Sequence, residues 1–276
     1  MAAVLFQVES KGLRRLVVAA GLQALAADVP DGAYTTLRTF GRDGVVRLGQ
    51  HVARLNESVA LTGRTGALTE SEVRQGIRQA LEATRFDSSR LRLTFAPPRL
   101  FLGIEPFTPL PADLFRQGVV CATVPLRRAN PHAKDTRFAT EATSAYGSLP
   151  AGAHEGLMVA PDGCLLEGLS SNFFAVLGGV VRTEEERALL GVTRSMVIEA
   201  ARGVLPVVPE AVRVGDVKSL SECFITSVSR GILPVVRIDD QVIGDGGPGP
   251  VSRELMGRLQ VLVERETERI TPPSSR

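Results

Sequence analysis

The chain has 276 residues, 32 Lys and Arg against 30 Asp and Glu for a net charge of +2, 44% hydrophobic residues and three cysteines. Near-balanced, interleaved charge excludes the basic footprint of a nucleic-acid binder and the polybasic face of a membrane-surface protein. No apolar run approaches the roughly 20 residues of a spanning helix, and Cys121, Cys164 and Cys223 form neither a CxxC pair nor a disulfide framework, so a reduced cytoplasm is expected.

The first thirty residues carry no clear pattern; MAAVLFQVESKGLRRL lacks the features of a signal peptide. Ala33 to Phe40 is rich in β-branched and aromatic residues and predicts a strand, with Gly41 to Gly44 turning it back into Val45–Leu48 as a hairpin. From Gln50 to Leu61, Val52, Leu55 and Val59 fall on one helical face. Thr69 with Glu72 makes a capping box for a second amphipathic helix through Val73, Ile77, Ala80 and Leu81. Leu91–Phe95 predicts a strand closed by Pro97-Pro98. Ile104 to Pro111 holds three prolines in six positions and predicts an extended linker.

The second half is strand-rich. Val119–Leu126 predicts a buried strand and Thr136–Tyr146 a helix. Gly156–Val159 and Cys164–Glu167 flank a turn at Asp162-Gly163; Asn172–Val176 and Val180–Val181 flank one at Gly178-Gly179. A helix is expected from Thr193 to Gly203, a strand at Phe224–Val228, a hairpin tip at Asp239-Asp240, a last helix over Leu255–Leu262 and a frayed tail over 271–276.

Single residues leave the chemistry open. Thr193, after a glycine at a helix start, either caps the helix or marks amides that can hold a phosphate. Glu167 closes an apolar strand and lies either at the solvent edge or half-buried with a cationic partner. Lys134, in the loop Asn130–Lys134, is either solvated or nucleophilic. His132 has no partner at metal-ligand spacing, and no metal is expected. His51 and Arg54 share a helical face. No GxSxG elbow, phosphate-binding P-loop or dinucleotide-binding turn is present.

In order, YTTLR (34–38), HVARLNES (51–58), NPHAK (130–134), PDGCLLEGLSSNFF (161–174), ALLGVTR (188–194), FITSVSRGILPV (224–235) and VIGDGGPGPVSREL (242–255) resemble the class IV aminotransferases. This is the fold-type IV family of pyridoxal-phosphate enzymes. It includes branched-chain and D-amino-acid aminotransferases and aminodeoxychorismate lyases. The resemblance spans about residues 33–260. It implies an α+β fold of two domains, a small α/β sandwich over 1–110 and a larger β-barrel-like domain with helices over 119–276, joined by a linker at 111–118.

The resemblance also assigns roles. Lys134 aligns with the Schiff-base lysine, which then carries the proton of the substrate Cα. Glu167 aligns with the carboxylate facing the pyridine nitrogen, the cofactor being the cation it needs. Arg54 matches the phosphate-contacting arginine of an HxxRLxxS helix. Val192 and Thr193 at the helix start, and Ser227 and Val228 at a second turn, complete the phosphate site. Tyr34, Arg38, Arg92 and Arg99 are candidates for the substrate, though an arginine on a strand also serves structure.

Two positions depart from the family pattern. Phe138 stands where many members carry a tyrosine that meets the cofactor's 3′-oxygen, and Val228 stands where a hydroxyl residue is common. The implied activity is ping-pong transfer of an amino group between an amino acid, with an apolar side chain suggested by Leu100-Phe101-Leu102, and a 2-oxo acid. A homodimer is expected by analogy. A pyruvate-releasing lyase and a silent relative are the alternatives.

Overall fold

A computed structural model of the chain describes residues 2–271; most of the tail expected to fray lies outside them. The chain folds into two compact units, one of Met1–Thr108, Ala133–Arg137 and Val263–Arg276, the other of Pro109–His132 and Phe138–Leu262.

The first unit is a sheet backed by two helices. Its elements begin with β1 (Ala3–Glu9), β2 (Gly12–Ala19), β3 (Ala33–Arg38), β4 (Gly44–Val46), α1 (Leu48–Leu61), α2 (Glu70–Thr84), β5 (Ser89–Ala96) and β6 (Arg99–Pro106). The strand order is β2-β1-β6-β5-β3. On β3, Ala33, Thr35 and Leu37 are buried while Tyr34, Thr36 and Arg38 are half-buried, the period-2 alternation of a strand covered unequally on its two faces. Leu48, Val52, Leu55 and Val59 of α1 and Val73, Ile77, Ala80 and Leu81 of α2 join Leu37, Leu91, Leu93 and Leu102 in one core. The capping box at Thr69 and Glu72 is present.

Two expectations for this half need correction. The unpatterned N-terminus is an antiparallel hairpin, with β1 also paired to β6. Pro97-Pro98 closes β5 as expected and turns it into β6, with the two strands paired from Ala96–Arg99 to Ser89–Pro106. Strand β6 therefore takes in Ile104–Pro106 of the expected linker, where Pro106 is tolerated as the terminal residue.

The second unit follows with α3 (Ala112–Gln117), β7 (Val119–Val124), α4 (Thr136–Gly147), β8 (Glu155–Val159), β9 (Leu165–Gly168), β10 (Asn172–Leu177), β11 (Val180–Arg182), α5 (Val192–Ala200), β12 (Val207–Val208), β13 (Glu222–Ser227), β14 (Gly231–Ile238), β15 (Gln241–Val242) and α6 (Pro250–Glu266). The expected linker 111–118 is mostly α3. Pro111 stands at its N-cap and Asp113 in its first turn, and Leu114 and Phe115 pack on the core of this unit. Six strands close on themselves in the order β10-β13-β14-β7-β8-β9, and the last link, β9 to β10, is the single register pair Glu167–Asn172. Phe173, Ile225, Leu233, Val235, Leu157 and Leu165 belong to the core. The architecture matches the expected barrel-like domain with helices.

After α6 the chain adds β16 (Thr267–Arg269) to the first unit, paired with β4. Strand β4 was expected to fold back on β3, but those two segments share only the bridge Phe40–Gly44. A non-local partner wins because β4 has just three residues and an isolated hairpin is marginal.

Candidate active site

In the first unit the geometry centres on one face of α1. His51, Arg54 and Ser58 follow one another at helical spacing. Arg54 Nη2 donates to Thr35 Oγ1 at 2.8 Å, and His51 Nδ1 lies 2.8 Å from the same oxygen. Ser58 Oγ donates to the Arg54 carbonyl at 2.8 Å and accepts from the Lys134 N–H at 3.0 Å. Burial and the neighbouring Arg54 and Lys134 cations push the His51 imidazole well below its usual 6.5.

Lys134 is sewn into this unit on both sides. Its carbonyl accepts from the Tyr34 N–H at 2.8 Å, and the Thr136 N–H donates to the Gly32 carbonyl at 2.9 Å. Asp135 takes Arg64 Nη1 at 2.7 Å and Arg137 Nε at 2.9 Å. Burial raises the Asp135 carboxyl, but the hydrogen bonds from Arg137 and Arg64 outweigh it and leave it below its usual 3.8. Gly32 fits because a Cβ there would meet the Phe95 carbonyl oxygen at 2.5 Å. The lysine assigned to the large domain thus belongs structurally to the first unit.

Lys134 Nζ lies 4.7 Å from the centre of the Tyr34 ring, and the Arg92 guanidinium 4.2 Å from the same centre. Arg38 lies between Phe40 and Phe107, at 4.2 and 4.7 Å from their centroids. Tyr34, Thr36 and Arg38 face Thr94, Arg92 and Arg90 across the β3–β5 ladder, so all six share one side of the sheet. Among the described residues no carboxylate pairs with Arg38 or Arg92, and burial lowers both guanidinium pKa values. Arg99 sits exposed at the β5–β6 turn, its guanidinium 5.6 Å from the Phe101 ring centre.

In the second unit Glu167 is buried, and the chain itself supplies a cation that sequence reasoning missed. Arg128 Nε donates to Glu167 Oε1 at 2.7 Å, with side chains 3% and 2% exposed. The guanidinium carbon lies 3.8 Å from the Phe138 ring centre. The partner assigned wholly to the cofactor is therefore shared with Arg128. Asn172 was also missed: its Nδ2 donates to Leu189 O at 2.6 Å and, at 3.3 Å, to Glu167 Oε2. Glu167, Asn172 and Thr226 are register partners across three strands, forming a polar row in an apolar barrel wall.

The candidate anion-binding turns belong to the same unit. Helix α5 starts at Val192 with Gly191 as its N-cap and no side-chain cap. Thr193 is therefore not the capping residue, and the Val192 and Thr193 amides have no intrahelical acceptor. Gly191 makes room for Asn172, whose Oδ1 would lie 2.2 Å from a Cβ. Ser227 ends β13 and Val228 opens the turn to β14, where the Arg230 N–H donates to the Ser227 carbonyl at 3.2 Å. Arg230 Nη1 is tied to the fully buried Glu155 at 2.7 Å, which also takes the hydroxyls of Tyr146, Ser170 and Ser171. That carboxylate and negative charge on the tyrosine repel, so burial and Glu155 raise the Tyr146 pKa. Among the described residues His132 Nε2 meets only the Glu185 carbonyl, at 3.1 Å.

A sequence model of the family described as "Amino-transferase class IV" matches residues 32–238. The chain belongs to the class IV aminotransferases. It is an enzyme, and its cofactor is pyridoxal 5′-phosphate. This class IV aminotransferase is 26% identical over 255 residues to a D-alanine aminotransferase of Bacillus licheniformis, covering 86% of the chain and 89% of the relative. It is 24% identical over 251 residues to a branched-chain-amino-acid aminotransferase of Pseudomonas aeruginosa, covering 81% and 80%. Its fold superposes on a branched-chain aminotransferase from Thermoproteus uzoniensis with a TM-score of 0.80 at 21% identity, covering 98% and 100%.

The residues present fit the cofactor. Among the described residues two buried polar atoms, Nη1 of the Glu167 partner Arg128 and Oγ1 of Thr226 in the same polar row, have no hydrogen-bond partner. Buried donors normally find one, and a polar ring with oxygen substituents supplies acceptors. Among the described residues Glu167 Oε2 has only the long contact from Asn172, which leaves it open to a cationic ring nitrogen.

Proposed function

We propose that this class IV aminotransferase moves the amino group of an amino acid with an apolar, branched side chain to a 2-oxo acid. What carries this assignment is the buried Glu167 carboxylate, hydrogen-bonded by Arg128 and Asn172 yet open at Oε2. A carboxylate fixed in that way holds a pyridine nitrogen protonated, and the bound cofactor then serves as the sink for the electron pair released at the substrate Cα.

The chain's own groups divide the remaining work. Lys134 offers its Nζ as the point of cofactor attachment and, when neutral, as the base that takes the Cα proton and returns it on the other side of the transfer. The Arg54 fork, the Val192 and Thr193 amides and the Ser227–Val228 turn hold the phosphate; Val228 contributes through its amide alone. Arg38 and Arg92, two half-buried guanidinium groups with no carboxylate partner among the described residues, suit the substrate's carboxylate, with Tyr34 lining the same sheet face. Branched-chain specificity is supported by the names of the Pseudomonas aeruginosa and Thermoproteus uzoniensis relatives; of the apolar run, Leu100 and Leu102 belong to the helix-backed core, and Phe101 lies on the Tyr34–Arg92 side of the sheet. The relatives' names also favour amino transfer over pyruvate release. A homodimer and a cytoplasmic setting accompany this proposal.

The test is a half-reaction screen. Full-length protein loaded with pyridoxal phosphate should lose its visible cofactor band on addition of leucine, isoleucine or valine and regain it with a branched 2-oxo acid. Borohydride should fix the cofactor to the wild type and not to Lys134→Ala. Turnover confined to acidic amino acids, or fixation that survives in Lys134→Ala, overturns the proposal.

A further inference from the structure

We propose that His51 and Thr35 act as a pair of positioning residues that aim the Arg54 guanidinium, while Ser58, on the same face of α1, holds the main chain of Lys134. This rests on the assignment of Arg54 to the phosphate and of Lys134 to the cofactor, and it adds residues to which no role has been given.

Thr35 Oγ1 is the hub. Arg54 carries only donors, so at 2.8 Å the hydroxyl oxygen must accept from Nη2. The hydroxyl hydrogen is then left for one other acceptor, and His51 Nδ1 stands 2.8 Å away. Thr35 is fully buried and His51 nearly so, where an unused hydroxyl hydrogen would cost free energy comparable to a lost hydrogen bond. A neutral imidazole with its hydrogen on Nε2 leaves Nδ1 to accept the threonine hydroxyl, and burial together with the nearby Arg54 and Lys134 charges disfavours the protonated ring. The relay therefore runs one way, from guanidinium to threonine to imidazole, and fixes the side-chain rotation of Thr35 and the direction in which Arg54 points.

Ser58 extends the same logic by one helical turn. Its hydroxyl donates to the Arg54 carbonyl at 2.8 Å and accepts the Lys134 N–H at 3.0 Å. One rigid helix face thus sets the position of the cation assigned to the phosphate and of the main chain that carries the lysine assigned to the cofactor. A carrier built on a helix keeps its geometry better than one built on a loop.

The experiment uses full-length protein freed of cofactor. Pyridoxal phosphate affinity is read from the absorbance on titration, inorganic phosphate affinity from competition, and melting temperature in parallel. Thr35→Val should weaken both affinities by about tenfold, the loss expected for one charge-assisted hydrogen bond. Thr35→Ser should restore them. His51→Asn, which keeps an acceptor near the Nδ1 position, should stay close to wild type, whereas His51→Leu should follow Thr35→Val. In an Arg54→Ala background, Thr35→Val should cause no further loss, because the pair acts through the arginine. Affinities unchanged within twofold in Thr35→Val, or losses that add fully to those of Arg54→Ala, overturn the positioning role. If the wild type neither binds phosphate competitively nor loses affinity on Arg54→Ala, the phosphate assignment itself falls, and the relay with it.

Discussion

Glu167 and Arg128 illustrate what burial demands of a charge. Removing either partner leaves an uncompensated ion in a low-dielectric interior, whereas replacing both by apolar groups of similar size is often tolerated. Arg128→Met should therefore destabilise the protein by about 3 kcal/mol in urea titration, and adding Glu167→Leu should recover most of that stability while abolishing cofactor-dependent turnover. Equal stability of the single and double variants would contradict the pairing. Nothing in LRRANPHAK distinguished Arg128 from a solvated loop arginine, because a loop has no periodicity from which to read the direction of a side chain. The need of Glu167 for a cation was legible; which cation was not.

His51 makes a second prediction at this scale. Its folded pKa lies well below 6.5, so below that pH the unfolded chain takes up a proton that the native ring refuses. Its contribution to stability is present above 6.5 and is lost as pH falls. The decline in stability between pH 7 and pH 5 should accordingly be shallower for His51→Asn than for the wild type, as measured by chemical denaturation. A steeper or identical decline would show that the ring is not held neutral.

Among the elements, helices were the most readable. Apolar spacing and a capping box located α1 and α2 because those signals are local. Thr69→Ala should cost about 1 kcal/mol, the usual loss of an N-cap, visible as a lower melting temperature. What escaped the sequence were non-local pairings: β1 onto β6 and β16 onto β4 join segments far apart in the chain, and strand propensity says nothing about partners. Helix α5 carries the sharpest prediction. Gly191 has an ordinary negative φ of −68°, so Gly191→Ala should act purely through the clash of its Cβ with Asn172. Displaced from Glu167 and Leu189, Asn172 should leave the variant folded but with weaker cofactor affinity in absorbance titrations.

On the scale of the whole molecule, the expectation of two domains in succession missed how the chain is shared. The first unit takes back Ala133–Arg137 and Val263–Arg276 after the second has begun. Glu268 Oε1 accepts the Leu48 N–H at 3.2 Å, and Arg74 bonds both the Glu268 side chain and the Arg269 carbonyl, so the C-terminal segment braces the start of α1 and the flank of α2. A fragment ending at Thr108 should accordingly fail to melt cooperatively in circular dichroism, while the whole chain does.

The six-stranded ring of the second unit is fastened at one opposed pair, and one member of that pair is the carboxylate assigned to the cofactor. A fastening made of so few backbone bonds is the cheapest place for the ring to part. Whatever grips that carboxylate when the enzyme is loaded also shuts the seam, so saturation with coenzyme should slow deuterium uptake across strands on both sides of it, well beyond the residues it touches.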